Sequence, residues 1–592
     1  MNISELYRGC SSSALLEGFE TRRDQEVALV YEKTTSAELQ SHIENLKSSL
    51  KNVLGLCKGD RVGIVAENRR QWLKFFLAVT ASGGIAVPIS PDTDPAKKRF
   101  ILKHAGVQII MTSLDGLGPV ENHFLKGMEG IKQVVLLDHH RCQHFIMPEG
   151  VKVHDFRTML TYPVKDSPSM LSDDDPAVIC YTSGTSGEPK GIVLSHGNLT
   201  ANVQAISRRV RVFATDNVAI ILPLNHSFPL IIALTALYNN ATIILASSHK
   251  RFAEIIRATH PSIIITVPLM LAKIRDGILK KIESEPFPVR VLFRLARFLV
   301  AAVHRTCGVN LSFIVCSGVR SKFPGLRFFV SGGASLAPEL LKDLIHLGLP
   351  VINGYGTTEL SPVVAVQAYE ENLFKYSRYY LDHAGECGPL LDNLEARIDP
   401  TTGCLHVSGP SLMLGYYNDQ ESDASLISNE NGKRWFNTSD VAEFRPDGSL
   451  AIYGRFDNVL NLANGKRISA ESIRQDLLTD PLVSDAWAYS DRGSRRGSEV
   501  LKAAVYLNPE RLRELGLDEN SSFERFEDLA RECRRRLNCG LEQASRISEI
   551  VLLNEPIPLT TKGTVRYNEV IRRAENASFD PKKFFASTGT VQ

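Results

Sequence analysis

The chain lacks the cysteine patterns of a disulfide scaffold or a zinc protein. Its ten cysteines are scattered over 592 residues, with no CxxC pair and no His/Cys cluster at zinc spacing. This usage is typical of reduced thiols in a cytosolic compartment. An excess of one charge is also missing, because 68 Lys and Arg face 66 Asp and Glu, for a net charge of +2. The balance, without a long basic block, argues against a nucleic-acid-binding protein.

Long hydrophobic runs are absent as well. No window reaches the roughly 18 to 20 uncharged apolar residues of a membrane-spanning helix. Residues 1–18 have no uninterrupted apolar core and carry Glu5 and Arg8, so a secretory signal is not expected. We therefore expect a cytoplasmic protein. Because 592 residues exceed what one hydrophobic core supports, we also expect two or more domains.

Short β-rich runs alternate with longer amphipathic runs between residues 27 and 113. VALVY, RVGIVAE, GGIAVPIS and VQIIMTS are predicted as strands, and residues 37–54, 70–81 and 95–104 as helices. Such alternation indicates βαβ units and a mostly parallel sheet. The predicted fold class is α/β.

The stretch YTSGTSGEPKG, residues 181–191, is a loop by composition. It holds four serine or threonine hydroxyls, three glycines and Lys190, a mixture unsuited to a strand or a helix interior. An apolar run before it predicts a strand, and the run after it leads into a helix capped at Ser195 or Asn198. Strand, glycine-rich loop and helix form a nest that binds phosphate. The Walker spacing is absent, and a surface loop without a ligand is the alternative.

Residue by residue, this loop resembles the signature loop of the adenylate-forming superfamily, which contains acyl-CoA synthetases, peptide-synthetase adenylation domains and luciferases. The chain is most similar to long-chain fatty acyl-CoA synthetases, from about residue 27 to 575, with five segments in the expected order. The resemblance implies that the loop binds the phosphates of ATP through Thr182, Ser183, Gly184, Thr185, Ser186, Gly187 and Lys190.

A second segment, NGYGTTELSPVV, begins at Asn353. One aromatic ring between small residues, two threonines and a carboxylate supply a stacking face, phosphate donors and a metal ligand. The resemblance implies that Tyr355 stacks on adenine and that Asn353 holds its amino group. It also implies that Thr358 contacts the α-phosphate, and that Glu359 binds Mg²⁺ together with Thr185.

Further residues are expected to line the same pocket. Gly332 and Gly333 end a strand-like run, where missing side chains let a flat ring approach the backbone. Gly356 lies within the second segment. His226, between two apolar runs, is either a core residue or, by resemblance, part of the acyl pocket.

A PDG turn flanked by β-like runs predicts a hairpin that brings Asp440 and Arg455 close together. On its own such a pair is worth under about 1 kcal/mol at a protein surface. The resemblance implies that both residues bind the ribose hydroxyls. Ser439 and Asn461 stand where glycine and lysine are usual in the family, so we expect the fine geometry to differ at these two positions.

Asp457 falls at the hinge of the family. The resemblance therefore implies a large ATP- and acyl-binding domain, residues 1–455, with mostly parallel sheets. A small mobile α+β domain follows, residues 456–592, and carries the adenylation lysine.

The segment EPIPLTTKGTVRY is expected to supply that lysine. Lys562 has an arginine four residues later, at the usual spacing of the family. Thr561 replaces the usual glycine, and alignment on Gly563 would put Thr564 at the catalytic place instead. We prefer Lys562, because only a cation holds the substrate carboxylate against the α-phosphate.

Residues 287–319 are rich in apolar side chains but carry Arg290, Arg294, Arg297 and Arg305. On a helix the first three arginines fall near one face. The stretch either contacts an anionic membrane surface or forms a buried helix pair with snorkelling arginines. It resembles a basic apolar insertion of long-chain acyl-CoA synthetases, which favours a long aliphatic substrate.

The resemblance implies an AMP-forming acid–thiol ligase that uses a fatty acid, ATP, Mg²⁺ and coenzyme A. The carboxylate attacks the α-phosphate, with Lys562, Lys190, Thr185 and Glu359 as the catalytic set, and the small domain then turns about Asp457. Transfer to the thiol of an acyl carrier protein is one alternative, as is release of the acyl-adenylate. A non-catalytic nucleotide sensor is another, because Ser439, Asn461 and Thr561 depart from the family pattern.

Overall fold

The structure is a computed structural model of the chain. It describes residues 2–8, 15–23, 26–119, 123–141, 147–165, 170–183, 189–246, 252–307, 309, 311–369, 379–381, 383–461, 467–478, 480–492, 499–540, 546–558, 565 and 567–587.

Strands and helices alternate through most of the described residues. The strands are β1 (Leu15–Arg23), β2 (Glu26–Thr34), β3 (Arg61–Val65), β4 (Ile85–Ile89), β5 (Ile109–Thr112), β6 (Gln133–Leu136), β7 (Lys152–Asp155), β8 (Pro176–Ser183), β9 (Pro189–Ser195), β10 (Asn217–Ile220), β11 (Thr242–Ala246), β12 (Ile263–Thr266), β13 (Phe328–Ser331), β14 (Val351–Gly356), β15 (Val363–Val366), β16 (Glu386–Pro389), β17 (Glu395–Ile398), β18 (Cys404–Ser408), β19 (Gly415–Tyr416), β20 (Ile427–Glu430), β21 (Lys433–Phe444), β22 (Ser449–Arg455), β23 (Val459–Asn461), β24 (Arg467–Ser469), β25 (Val483–Arg492), β26 (Glu499–Leu507) and β27 (Glu549–Leu552). The helices are α1 (Ile3–Arg8), α2 (Ser36–Asn52), α3 (Arg70–Ala81), α4 (Pro95–His104), α5 (Leu114–Leu117), α6 (Phe156–Met159), α7 (His196–Arg209), α8 (Ser227–Tyr238), α9 (Phe252–Thr259), α10 (Pro268–Glu283), α11 (Phe287–Cys307), α12 (Ser312–Val315), α13 (Ser317–Arg320), α14 (Pro338–His346), α15 (Gln420–Leu426), α16 (Ala470–Leu477), α17 (Pro509–Glu514), α18 (Phe523–Gly540), α19 (Tyr567–Glu575) and α20 (Pro581–Ser587).

Two large sheets dominate the molecule. The first has the strand order β19-β9-β8-β4-β3-β5-β6-β7, and the second has the order β15-β14-β13-β12-β10-β11-β1-β2. In the first sheet β3 to β8 pair in parallel, whereas β9 and β19 pair antiparallel at one edge. A separate antiparallel sheet joins β16, β22, β21, β18 and β17, with β20 on β21. The predicted α/β class with mostly parallel sheets is confirmed.

Helix ends follow the sequence closely where capping residues are present. Thr35 caps α2 and forms a reciprocal capping box with Glu38, which satisfies two backbone donors of the first turn. Asp94 caps α4 and Pro95 occupies its first position, as proline prefers. The helices predicted at 70–81 and 95–104 have these same bounds in the structure.

The segment after the glycine-rich loop differs from the predicted strand–loop–helix order. The loop closes an antiparallel hairpin of β8 and β9, and α7 begins only after β9. The β-branched run before Ser195 pairs with the apolar run of β8, because both are buried on the sheet. Ser195 caps α7 and Asn198 completes its capping box, which confirms the first of the two predicted caps.

The apolar cores fall into two regions of the chain. Three clusters of buried residues, all before residue 451, surround the two large sheets. A fourth cluster contains residues from Leu460 to Phe585 and joins β25, β26 and β27 to α16 and α18. This division agrees with a small carboxy-terminal domain, although its boundary at residue 456 stays a prediction. No helix in the described part of the chain is long and apolar enough to cross a membrane.

His196 is a fully buried titratable group at the start of α7. Its Nδ1 accepts from the backbone N–H of Ile3 at 3.4 Å, and its Nε2 has no partner among the described residues. Burial lowers the pKa of His196 to about 4, although Asp175 and Asp173 oppose the shift. The imidazole of His196 is therefore neutral in the folded protein, whereas in the unfolded chain it is protonated below its ordinary pKa of 6.5.

We expect this histidine to make folding less favourable in mild acid. The stability that it contributes is complete above pH 6.5 and is lost as the pH falls toward about 4, which amounts to about 2 kcal/mol between pH 7 and pH 5. Urea unfolding of His196→Gln should show a smaller loss over this interval than the wild type. The exposed His140→Gln serves as control, and equal losses in all three proteins would contradict the account.

Candidate active site

The β8–β9 hairpin carries the first predicted signature. Thr182 pairs across the hairpin with Lys190, and Ser183 pairs with Pro189. The tip of the loop, with the predicted residues Gly184, Thr185, Ser186 and Gly187, lies outside the described residues. The hairpin therefore fixes where the loop starts and ends, and it places Lys190 at the loop's exit.

Lys190 is held by the amino-terminal end of α15. Its Nζ donates to Ser422 Oγ and lies 3.4 Å from Asp419 Oδ2. Asp419 caps α15 through the backbone N–H of Ser422 and also accepts from the hydroxyl of Ser422 at 2.6 Å. Hydrogen bonds from Ser422, and the charge of Lys190, lower the pKa of Asp419. The lysine and aspartate thus form an ion pair close to the loop.

Glu359 lies in the next part of the same network. Its Oε1 accepts from the hydroxyl of Tyr416 at 3.0 Å, and its Oε2 accepts from Thr357 Oγ1. The ring of Tyr416 is 5.7 Å from Lys190 Nζ. Burial, together with the charge of Glu359, raises the pKa of Tyr416, so this phenol stays protonated as a donor. Tyr416 consequently links the lysine of the first signature to the carboxylate of the second.

Thr358 faces a different neighbour. Its Oγ1 is 2.9 Å from the hydroxyl of Ser227, the first residue of α8. His226 directly precedes Ser227 and is exposed at the amino-terminal end of that helix. The core alternative for His226 is therefore wrong, whereas its role in the acyl pocket stays a prediction.

Tyr355 and Asp440 form the second centre of the site. The Tyr355 hydroxyl donates to Asp440 Oδ2 at 2.6 Å. Burial raises the pKa of both groups, and the charge of Arg455 partly opposes this shift for Asp440. Asp440 and Arg455 are close together, as the PDG turn predicts, and a register shift between Val441 and Ala442 pairs them directly across the β21–β22 hairpin. The charge of Glu359 also raises the pKa of Asp440, because the network around Glu359 lies near the Tyr355–Asp440 pair.

Asn353 is buried next to Tyr355, with 4% of its surface exposed. Its backbone N–H donates to Gln367 Oε1 at 3.0 Å, and its Nδ2 donates to the carbonyl of Glu386 at 3.0 Å. The second of these bonds orients the side-chain amide. The amide oxygen is the atom that the predicted contact with an adenine amino group would use.

The glycines of the site have different roles. A side chain on Gly332 would meet the ring of Phe228 at 3.0 Å, whereas the space around Gly333, with φ of +79°, is open. A Cβ on Gly356 would lie 1.8 Å from the carbonyl oxygen of Pro362. Gly356 is thus required by the close approach of β14 and the segment leading into β15, independently of any ligand.

Ser439, which stands where the family usually has glycine, adopts a backbone conformation that glycine favours. Ser439 has a φ of +57°, in the left-handed region that glycine adopts at lower cost. Its N–H donates to Asn437 Oδ1 at 2.8 Å, which offsets part of that cost. The chain next to Asp440 therefore keeps the conformation that glycine favours, although the side chain has changed.

Several residues of the network are missing from the sequence prediction. These are Tyr416, Asp419, Ser422 and Ser227. Their contacts reach up to 232 positions along the chain, so no spacing rule identifies them. The only local signal is the aspartate cap of a short helix after GYYN.

Comparison with solved structures defines the class of fold. The anthranilate CoA ligase AuaEII, solved with anthranoyl-AMP, superposes with a TM-score of 0.69 at 18% identity and covers 97% of this chain and 98% of its own. A Mycobacterium tuberculosis fatty acyl CoA synthetase gives a TM-score of 0.61 at 18% identity, with 98% of both chains covered. The fold is therefore that of adenylate-forming enzymes.

Sequence comparison then gives the family. Residues 17–417 match the family described as AMP-binding enzyme, and the chain belongs to this family. The peroxisomal long chain acyl-CoA synthetase 7 of Arabidopsis thaliana is 28% identical over 509 residues, which are 81% of this chain and 70% of that protein. Long-chain-fatty-acid--CoA ligase 1 of Schizosaccharomyces pombe is 29% identical over 471 residues, 74% of this chain and 67% of that protein. The predicted resemblance is confirmed.

We expect Gly356 to be irreplaceable for folding. Gly356→Ala places a methyl group against a backbone carbonyl and should cost about 3 kcal/mol or more. Gly354→Ala, on the same strand, meets its nearest neighbour at an ordinary 3.5 Å and should change stability by no more than about 1 kcal/mol. Thermal unfolding of both variants tests this, and similar midpoints would refute the assignment.

Proposed function

We propose that the protein joins a fatty acid, with a long chain favoured, to coenzyme A in an ATP-dependent reaction that releases AMP and pyrophosphate. Family membership and relatives named as long-chain acyl-CoA synthetases support this reaction class. The observation that carries the proposal is the network in which Tyr416 connects Lys190 to Glu359. This network brings a cation and a carboxylate from two distant signatures to one location.

Phosphoryl and adenylyl transfer need positioning and charge neutralisation more than covalent help from the protein. Lys190 would release Asp419 and pair with the ATP phosphates, with the loop residues Thr182 to Gly187 around them. Thr358 would donate to the α-phosphate. Tyr355 would stack on adenine, with Asn353 at its amino group, while Asp440 and Arg455 would bind the ribose.

Glu359 fits a magnesium ligand by the chemistry of its surroundings. Both carboxylate oxygens accept one hydroxyl each, which leaves one lone pair per oxygen for a hard cation. Thr185 is the second proposed ligand and lies outside the described residues. When bound, Mg²⁺ would neutralise phosphate charge. The role of Tyr416 is to hold the carboxylate in place for it.

The second half of the reaction needs a different arrangement of the same chain. We place the hinge at Asp457, in the short 3-10 turn Phe456–Asn458 that follows β22. Rotation there would withdraw Lys562, which lies outside the described residues, and open a path for a thiol. The thiol acceptor proposed is coenzyme A, and the alternative is an acyl carrier protein.

A pyrophosphate-release assay over carboxylic acids of graded chain length tests the proposal. We expect ATP- and Mg²⁺-dependent release that is greatest with long chains, and thioester formation when coenzyme A is added. Thioester formation only on a carrier protein would select the carrier alternative. No release above background with any acid would select the nucleotide sensor and overturn the proposed enzyme.

Lys562→Ala should separate the two half-reactions. Pyrophosphate release should fall by at least about 100-fold, because a cation at the transferring phosphate is lost. Thioester formation from a supplied acyl-adenylate should stay within about twofold of the wild type. Lys583→Ala, an exposed lysine of the same region, is the control. Equal loss in both halves would argue against the role, and loss with Thr564→Ala alone would show a shifted register.

A further inference from the structure

Helix α11 presents an unusual surface to solvent. Of the 22 large apolar side chains that are exposed in the described part of the chain, eleven lie between residues 268 and 322. Seven of them belong to α11, namely Phe287, Val289, Val291, Leu292, Leu295, Phe298 and Leu299. Concentrated apolar exposure of this kind marks an interaction surface.

Six of these side chains form one face of the helix, whereas Val289 falls on the side that carries Val300. Phe287, Val291, Leu295 and Leu299 repeat every four residues, so they lie along one side of an α-helix. The opposite side packs on the protein, where Val300 is fully buried and Arg297 forms an ion pair with Asp343 of α14 at 2.8 Å. The alternative of a buried helix pair is therefore wrong, because the protein covers only the side that carries Val300 and Arg297.

The charge around this face indicates its partner. Residues 268–322 contain ten Lys and Arg and three Asp and Glu, a net charge of +7 in a chain of net +2. Helix α11 has no acidic residue. Two copies of such a surface would repel each other. A nucleic acid offers no apolar surface large enough to cover seven exposed apolar side chains. An anionic lipid bilayer provides both an apolar interior and negative headgroups.

A recess beside the apolar face supplies a place for a headgroup. It has a volume of about 420 Å³ and lies among α10, α11 and α14, and its charged or titratable lining residues are Glu283, Arg294, Arg297 and His346. Its two arginines outnumber its one carboxylate. Arg294 forms no ion pair within the described residues. Its guanidinium is thus suited to bind a phosphate oxygen at the membrane surface.

We propose that α11 lies in the interface of an anionic phospholipid membrane, with Leu292, Leu295, Phe298 and Leu299 among the acyl chains and Arg294 at the headgroups. The contact proposed lies along the membrane surface, because the other side of α11 packs on the protein through Val300 and Arg297. The inference adds a partner to the proposed function, in which the substrate is itself an apolar chain. Vesicle binding needs neither ATP nor turnover, so the two proposals can fail separately.

Flotation with lipid vesicles tests this directly, using phosphatidylcholine alone and phosphatidylcholine with phosphatidylglycerol at about 7:3. We expect partition onto the anionic vesicles to be at least about tenfold stronger. Leu295→Glu and Phe298→Glu should each weaken it by about tenfold or more, and Arg294→Gln by about fivefold. Met170→Glu, at an exposed apolar residue elsewhere, should leave it unchanged.

Several results would overturn the proposal. These are no vesicle binding, equal binding to neutral vesicles, and unchanged binding by the α11 variants. A dimer that Phe298→Glu dissociates, without vesicle binding, would show a contact between copies instead. Since a glutamate variant that misfolds is uninformative, release of the wild-type protein from anionic vesicles by added salt is the independent measurement. Binding that is indifferent to salt contradicts the role of the arginines.

Discussion

The carboxylate of Glu359 is the point on which the candidate site depends. It accepts hydroxyls from its own segment and from Tyr416, and the ring of Tyr416 in turn borders Lys190. Three stretches of chain that are far apart in sequence therefore share one ionic network. Because these groups are partly shielded from water, their charges act on one another more strongly than surface charges do.

The pair formed by Tyr355 and Asp440 is linked to Glu359 through charge. Asp440 is partly buried and close enough to Glu359 for their charges to interact, and it accepts a hydrogen bond from Tyr355. Removing a carboxylate from water is costly, and the tyrosine hydroxyl and the charge of Arg455 reduce that cost. In the proposed nucleotide site, ribose hydroxyls would donate to the same carboxylate that the Tyr355 hydroxyl contacts.

How far the sequence predicts this structure depends on the range of the interactions involved. The bounds of α3 and α4 are predictable because their periodicity is local and Asp94 caps α4. The closeness of Asp440 and Arg455 is predictable because a short turn joins their strands, whereas their direct pairing is not, because it depends on a register shift between Val441 and Ala442. The strand β9, between the glycine-rich loop and α7, is missed because the sequence shows the helix cap at Ser195 but does not show which strands pair. Asp419 and Ser422 are missed because they reach Lys190 only through the folded chain.

These segments are proposed to form one nucleotide site, and calorimetric titration with AMP tests that proposal most directly. The wild-type protein should bind one AMP, and Asp440→Asn should bind it at least about tenfold more weakly, since a hydrogen bond to a charged group is lost. Asp392→Asn, which breaks an exposed pair with Arg208, should bind like the wild type. AMP affinity that is unaffected by Asp440→Asn, or no AMP binding at all, would contradict the central claim.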